Sequence, residues 1–282
     1  MTDASASSSW LIAGAGIGGL AAACALAQRG EAVTVLEREP ELKEFGAGIQ
    51  LGPNAVRVLQ SLGVMQAYEE VACFPEKLQV RDGMHTQLLG ELNFRPDFLA
   101  RYSAPYSTVH RADLQRILYE HAQQLGIAPQ FNSRVTGYIA HGSGVDVAIE
   151  TSHAGGLSSH TLSAQALIGA DGLWSQVRKQ LLPDEVAPRY SGILAYRALV
   201  PQHDLPQALR SQHITLWLAP HWHAVHYPVC AGEYLNVVIL VEGPQPQDLT
   251  HWDHTANAAD LNAALTTACP AVRDLVANIG HW

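Results

Sequence analysis

The chain has 282 residues, 48% hydrophobic and 15% charged, which suits one medium globular protein of two lobes with a large core and excludes a disordered chain. Its 17 Lys and Arg against 26 Asp and Glu leave a net charge of −9, and no basic cluster marks a phosphate-tracking face, so nucleic acid is not an expected partner. The polar start from Met1 to Ser9 lacks the basic and apolar regions of a secretory signal, and no later segment approaches the roughly 18 uninterrupted apolar residues of a membrane helix. A cytoplasmic protein without membrane attachment is expected. Its four cysteines, Cys24, Cys73, Cys230 and Cys269, are widely spaced with no CxxC pair, which predicts buried free thiols rather than a disulfide framework or a zinc site.

Taken in chain order, the first element is a short apolar strand over 10–13, followed by Gly14-Ala15-Gly16-Ile17-Gly18-Gly19. In such a run Gly14 allows a tight turn, Gly16 a close backbone approach to a pyrophosphate, and Gly19 contact between helix and strand. The small-residue helix that opens here presents free N–H groups and the positive end of its dipole to an anion. A second parallel strand, 32–36, then delivers Glu37 and Arg38. The acid stands at the interval expected of a carboxylate that binds a ribose hydroxyl, and it disfavours a 2′-phosphate, so the nucleotide is FAD or NAD rather than NADP. The bland alternatives are a glycine-rich structural turn and a solvated carboxylate.

Beyond this unit a glycine-rich crossing occupies 46–54, with Gln50 and Gly52-Pro53-Asn54, and a helix over 55–62 is stopped by Gly63. Residues 78–92 read as a hairpin around Asp82-Gly83, and 113–124 as a helix ended by Gly126. Short alternating runs over 131–169 predict an antiparallel meander. A buried strand over 166–170 and Asp171-Gly172 then lead into a helix containing Ser175, Val177, Arg178 and Leu181, and from about Pro188 onward long strands dominate, at 214–218, 224–229 and 235–241.

The strand from His221 to Pro228 carries a cluster of polar aromatic side chains. Strand alternation puts His223, Val225 and Tyr227 on one face, with Ala224 and His226 on the other, which makes His223 and Tyr227 neighbours. An imidazole beside a phenol at an apolar pocket wall suits ionising or hydrogen-bonding a phenolic substrate. The alternative is a half-buried strand whose histidines face solvent. A metal site at His221 and His223 is not expected, because no acidic or cysteine partner stands nearby in the sequence.

The motifs GAGIGG at 14–19, LER at 36–38, GAGIQLGPNA at 46–55, HRADL at 110–114 and IGADGLWSQVR at 168–178 together resemble the class A flavoprotein aromatic hydroxylases, the group of salicylate hydroxylase and 3-hydroxybenzoate 6-hydroxylase. The resemblance covers essentially the whole chain. It implies an α/β protein, with a Rossmann-like FAD-binding domain of the GR2 type (1–73 and 108–185) interleaved with a substrate domain on a mainly antiparallel sheet (74–107 and 186–282). It also implies FAD as cofactor, NADH or NADPH as co-substrate, a small aromatic substrate, and a monooxygenase reaction on a phenolic aromatic acid; a homodimer is left open.

Residue by residue, the resemblance gives Arg111 to the FAD phosphate and ribose region, the alternative being a helix-start salt bridge. It gives Asp171 and Gly172 to FAD and the use of reduced nicotinamide, a helix cap being compatible with that role. Gln50 and Gly52-Pro53-Asn54 pass close to the flavin. The HxxxY arrangement of His223 and Tyr227 before a proline is similar to that of the 3-hydroxybenzoate 6-hydroxylases. Arg197 matches an arginine of the substrate domain that pairs a substrate carboxylate, a structural ion pair being the alternative. The later GDAAHP-type segment of the family, whose aspartate binds the FAD ribitol, is missing before Trp282, so a truncated hydroxylase with weak flavin binding is expected. The remaining alternatives are an inactive remnant that binds nucleotide and an NAD-linked flavin dehydrogenase.

Overall fold

The structure is a computed structural model and describes residues 9–42, 47–94, 96–153, 155–185, 188–246 and 258–282. In chain order its elements are β1 (Ser9–Ala13), α1 (Ile17–Ala27), β2 (Ala32–Leu36), β3 (Gly48–Leu51), α2 (Pro53–Leu62), α3 (Met65–Val71), β4 (Lys77–Asp82), β5 (Leu88–Asn93), α4 (Asp97–Tyr102), β6 (Ser107–His110) and α5 (Arg111–Gln124). There follow β7 (Ser133–His141), β8 (Gly144–His153), β9 (Gly156–Ala164), β10 (Ala166–Gly169), α6 (Gln176–Leu181), β11 (Ile193–Pro201), β12 (Ile214–Ala219), β13 (Trp222–Val229), β14 (Tyr234–Glu242), α7 (Ala258–Ala264) and α8 (Pro270–Ala277). By contact the chain divides into two compact units, Met1–Glu44 with Leu114–Arg189, and Phe45–Asp113 with Tyr190–Trp282.

In the first unit β1 lies between β10 and β2, parallel to both, with Leu11 opposite Leu167 and Thr34. The strand–helix–strand order read from the glycine run is therefore present. Strand β10 is half-buried rather than buried as its apolar sequence suggests, because it is the edge of this sheet and is paired on one side only. The meander over 131–169 is present as the antiparallel sheet β7-β8-β9. Its inward residues Val135, Val145, Val147 and Ile149 close a core with Leu11, Ala13, Leu36 and Val177. Alternation of one apolar and one polar residue is what lets such a sheet bury one face and wet the other.

The second unit is built on a six-stranded sheet in the order β11-β14-β13-β12-β4-β5, antiparallel except between β12 and β4. The hairpin at Asp82-Gly83 forms because the Asp82 carboxylate accepts the Met84 and His85 N–H groups at 2.7 and 2.9 Å. Helix α2 stops at Gly63, whose φ of 76° no branched side chain would tolerate well. One sheet face packs Trp222, Ala224, Val237 and Ile239 under α7 and α8, two helices that the apolar pattern of 188–282 had not revealed. The other face carries the smaller cluster Phe94, Ile214, Tyr227 and Val229.

The units differ in detail from the domains expected from the family. Residues 47–73 group with the second unit, because β3 pairs with β6 and the Gly48 N–H is held by Asn236 of β14. Cys24, Cys73 and Cys269 are buried free thiols and Cys230 is half-buried. No helix among the described residues is long and apolar enough to cross a membrane.

Candidate active site

The glycine turn of the first unit explains its own composition. Gly14 has φ +104°, and a Cβ there would stand 2.4 Å from the Ala170 carbonyl oxygen; at Gly19 it would stand 1.9 Å from the Gly14 oxygen. Both positions are closed to a side chain by backbone. A Cβ on Gly16 would meet nothing within 4 Å among the described residues, so the absence of a side chain there leaves open space rather than relieving a contact. Gly16 is also the N-cap of α1 and supplies no side-chain acceptor, and the first turn holds no acid. The first N–H groups of the helix adjoin that open space and have no side-chain partner among the described residues, the arrangement that accepts a phosphate.

Glu37 is brought to the same turn. Its Oε2 accepts the Ala15 N–H at 2.7 Å and its Oε1 the Glu39 N–H at 2.9 Å. A carboxylate has about four acceptor positions, so two remain for a vicinal diol after both oxygens have been oriented. Around the turn lies a groove of about 210 Å³ with Gly14, Gly16, Glu37, Arg38, Asp171 and Gly172 in its walls. Arg38 is exposed and its Nε donates to Glu39 at 3.2 Å. The carboxylate of Asp171 accepts the Gln176 and Val177 N–H groups at 2.8 and 3.2 Å and the Ser175 hydroxyl. It therefore caps α6 from outside the helix while Ser175, the N-cap proper, accepts the Arg178 N–H at 2.9 Å.

Three further wall residues were not singled out from sequence. Gln115, which follows HRADL directly, is buried and its Nε2 donates to the Ala15 oxygen at 3.1 Å, tying α5 to the turn. Arg134 and Trp174 line the same groove. Trp174 sits inside the IGADGLWSQVR motif; nothing in sequence marks Arg134.

In the second unit Gln50 accepts the Tyr106 hydroxyl at 2.8 Å. Gly46, the first residue of the GAGIQ motif, lies outside the described residues. Arg111 opens α5, with its N–H donating to the Ala47 oxygen at 3.0 Å. Arg197 of β11 stands within electrostatic reach of Arg111 and Tyr227, and burial, then the Arg111 charge, draw its pKa below the usual arginine range.

His223 and Tyr227 share a face of β13, as alternation requires, but they are not adjacent. Four positions on a strand span about 13 Å. Tyr227 is buried under Gly48, where a Cβ would come within 2.8 Å of its ring, whereas His223 is half-exposed in a separate hollow with Ile193, Trp222 and Leu240. Burial pushes the Tyr227 phenol well above its ordinary pKa, so it is neutral in any physiological buffer. His226 does occupy the other face, yet it does not face solvent: it is 9% exposed, its Nδ1 has no partner among the described residues, and burial lowers its pKa to about 4. His221 lies in the preceding turn, its Nδ1 2.7 Å from Glu242, an acidic partner contributed by β14 that the local sequence could not reveal. Among the described residues no three His, Cys, Asp or Glu side chains gather as metal ligands.

Register decides what lies between His223 and Tyr227. Val225 is opposite Leu216 on one side and Val238 on the other, and Val238 is opposite Arg197. Cross-strand partners project to the same face. One row thus runs from apolar side chains to a guanidinium, with an imidazole to one side and a phenol to the other.

A strand–glycine turn–helix with a ribose-type carboxylate, joined in one chain to such a sheet, defines a nucleotide-binding flavoprotein fold. Residues 8–264 match the FAD binding domain family, and the chain belongs to that family. It is 36% identical over 277 residues to the 3-hydroxybenzoate 6-hydroxylase of Polaromonas naphthalenivorans, covering 98% of this chain and 66% of that protein. It is 38% identical over 230 residues to 3-hydroxybenzoate 6-hydroxylase 1 of Aquipseudomonas alcaligenes, covering 81% and 56%. Among solved structures, Klebsiella pneumoniae HpxO complexed with FAD and uric acid superposes with a TM-score of 0.78 at 28% identity, over 96% of this chain and 65% of that one. A salicylate hydroxylase substrate complex gives 0.76 at 25%, over 96% and 66%. The chain spans less than two thirds of the length of these relatives.

Proposed function

We propose that the chain serves FAD-dependent hydroxylation of a phenolic aromatic acid of the 3-hydroxybenzoate or salicylate kind, with NADH or NADPH and O₂ as co-substrates, in the cytoplasm. The observation that carries this reading is the sheet row Arg197-Val238-Val225-Leu216 flanked by His223 and Tyr227. It offers a cation for a carboxylate, an apolar floor for a ring, and an imidazole and a phenol, one at each end of that floor, able to hydrogen-bond different ends of the ligand. The 3-hydroxybenzoate 6-hydroxylases and the salicylate hydroxylase named above support the same substrate class.

The residues of the glycine turn fit the cofactor: Gly16 leaves room for a pyrophosphate at the uncapped end of α1, and Glu37 retains acceptor positions for a ribose. Gly14 and Gly19 keep that turn closed, and Arg38, Gln50, Arg111 and Asp171 belong to the same proposal. Bound FAD would supply two-electron and O₂ chemistry that no side chain possesses. The remaining work falls to the protein. Arg197 pairs the substrate carboxylate and fixes its orientation. The neutral Tyr227 phenol orders the ring by hydrogen bonding. A His223 ring nitrogen takes the phenolic proton, which raises electron density on the ring, while Val225, Leu216 and Val238 keep water from it.

Oxygen uptake and product formation with NADH or NADPH, measured side by side for 3-hydroxybenzoate and salicylate, test the proposal. Hydroxylated product from one of the two acids is expected. Nicotinamide oxidation that no phenolic acid stimulates and that yields no hydroxylated product overturns it in favour of a dehydrogenase, and a protein that binds FAD without either reaction is a nucleotide-binding remnant.

A further inference from the structure

Strand β14 reads Tyr-Leu-Asn-Val-Val-Ile-Leu-Val-Glu, and Asn236 is the one polar residue between Leu235 and Val241. It is 1% exposed and lies opposite Tyr227 on the face of the sheet row described above. Its Oδ1 accepts the Gly48 N–H at 2.7 Å, while its Nδ2 donors have no partner among the described residues. Because the Gly48 N–H requires an acceptor, the carboxamide cannot turn over to relieve its amino group. An unpartnered buried donor is a standing cost that a leucine of the same shape would not carry. Such departures from local rules concentrate where position matters more than stability.

Gly48 is wedged between the two side chains. A Cβ there would come within 2.8 Å of both the Asn236 Cγ and the Tyr227 Cε2, so the β3 backbone rests directly on them. Two residues further along β3 Gln50 accepts the Tyr106 hydroxyl at 2.8 Å. Tyr106 stacks on Phe94 with ring centroids 4.6 Å apart, and Phe94 packs in the cluster that holds Tyr227. Asn236, Gly48, Gln50, Tyr106, Phe94 and Tyr227 thus form a closed circuit with one hydrogen bond at its root.

We infer that Asn236 is a positioning residue of the aromatic-acid site: by holding the Gly48 N–H it seats β3 against the sheet, and so sets both the Tyr227 ring and Gln50 relative to the substrate. The inference rests on the function proposed above. In this role Asn236 acts through the two residues whose places it fixes.

Asn236→Leu keeps the shape and removes the acceptor, whereas Asn236→Asp keeps an acceptor for Gly48. Amide hydrogen exchange at Gly48, measured without any ligand, is expected to quicken roughly tenfold or more in Asn236→Leu, the scale of one lost buried hydrogen bond, and to stay near the parent rate in Asn236→Asp. In turnover Asn236→Leu is expected to raise KM for the aromatic acid about tenfold and to lower the share of oxygen recovered as product, with ADP binding to the glycine-turn groove unchanged. Ile239→Val, a core change on the opposite face, is expected to shift melting without moving KM. Unchanged Gly48 exchange in Asn236→Leu overturns the clamp. Faster exchange with unchanged KM and coupling overturns the positioning role and leaves a structural tie. Should the parent protein act on no phenolic acid, the substrate reading and the positioning role fall together, while the exchange result still stands for the clamp.

Discussion

A substrate in contact with both His223 and Tyr227 must lie over Val225, because the two Cα atoms are separated by about 13 Å of strand. That assigns them different ends of one ligand. His223→Ala is expected to slow hydroxylation by roughly 10²–10⁴, the range of a lost acid–base group, with FAD binding unchanged. His203→Ala, exposed beside Asp204, provides the control and is expected to change neither. Equal losses in both variants, measured as coupled product per oxygen, remove the role. His226 cannot serve as that control, since it is part of the core. Its folded pKa of about 4 lies below the unfolded value near 6.5, so the unfolded chain binds the proton first as pH falls. Its contribution is thus neutral above about pH 6.5 and increasingly destabilising down to about pH 4. Urea unfolding is expected to show the parent losing roughly 2 kcal/mol more than His226→Leu between pH 7 and pH 5. A parallel pH dependence in the two proteins contradicts a buried neutral imidazole.

At the scale of elements, the glycine turn separates what the fold needs from what a ligand needs. Gly19→Ala would push a methyl to within 1.9 Å of the Gly14 oxygen, a backbone atom with no room to yield, and is expected to abolish both the folded first unit and nucleotide binding. Gly16→Ala meets nothing among the described residues, and is expected to leave the melting temperature within a degree or two, consistent with a surface change of less than about 0.5 kcal/mol, while weakening FAD binding tenfold or more. Calorimetry with flavin titration checks both. A Gly16→Ala protein that binds FAD like the parent shows that the open space there is not the pyrophosphate seat. The sequence pointed to this turn because its spacing is local: strand, glycines and helix follow one another without a long-range decision.

For the whole molecule, ligand linkage gives the broadest test. A ligand that binds only the folded chain stabilises it by about 2.7 kcal/mol at a hundred times its Kd, so FAD is expected to raise the melting temperature in step with its concentration. Hydrogen exchange locates the effect: ADP is expected to slow the amides of 15–19, and the phenolic acid those of β13 around Val225. Protection by ADP on β13 alone, or none at the glycine turn, contradicts the assignment of the groove.

The amino-acid sequence by itself determined the β1-α1-β2 nucleotide unit, the carboxylate of Glu37, the hairpin at Asp82, the antiparallel meander and the alternation of β13, because each depends on residues near in the chain and on one fixed period. Tertiary structure alone decided the remainder. Whether His226 met water or core, which acid paired with His221, that β10 became an edge, and that Gly48 needed Asn236 all depend on strands brought together from distant parts of the chain. Register across β11, β14, β13 and β12 is what put Arg197, Val225, His223 and Tyr227 on one face of the sheet. A side-chain period fixes the face on which a residue stands, but only hydrogen-bonded neighbours fix what stands opposite it.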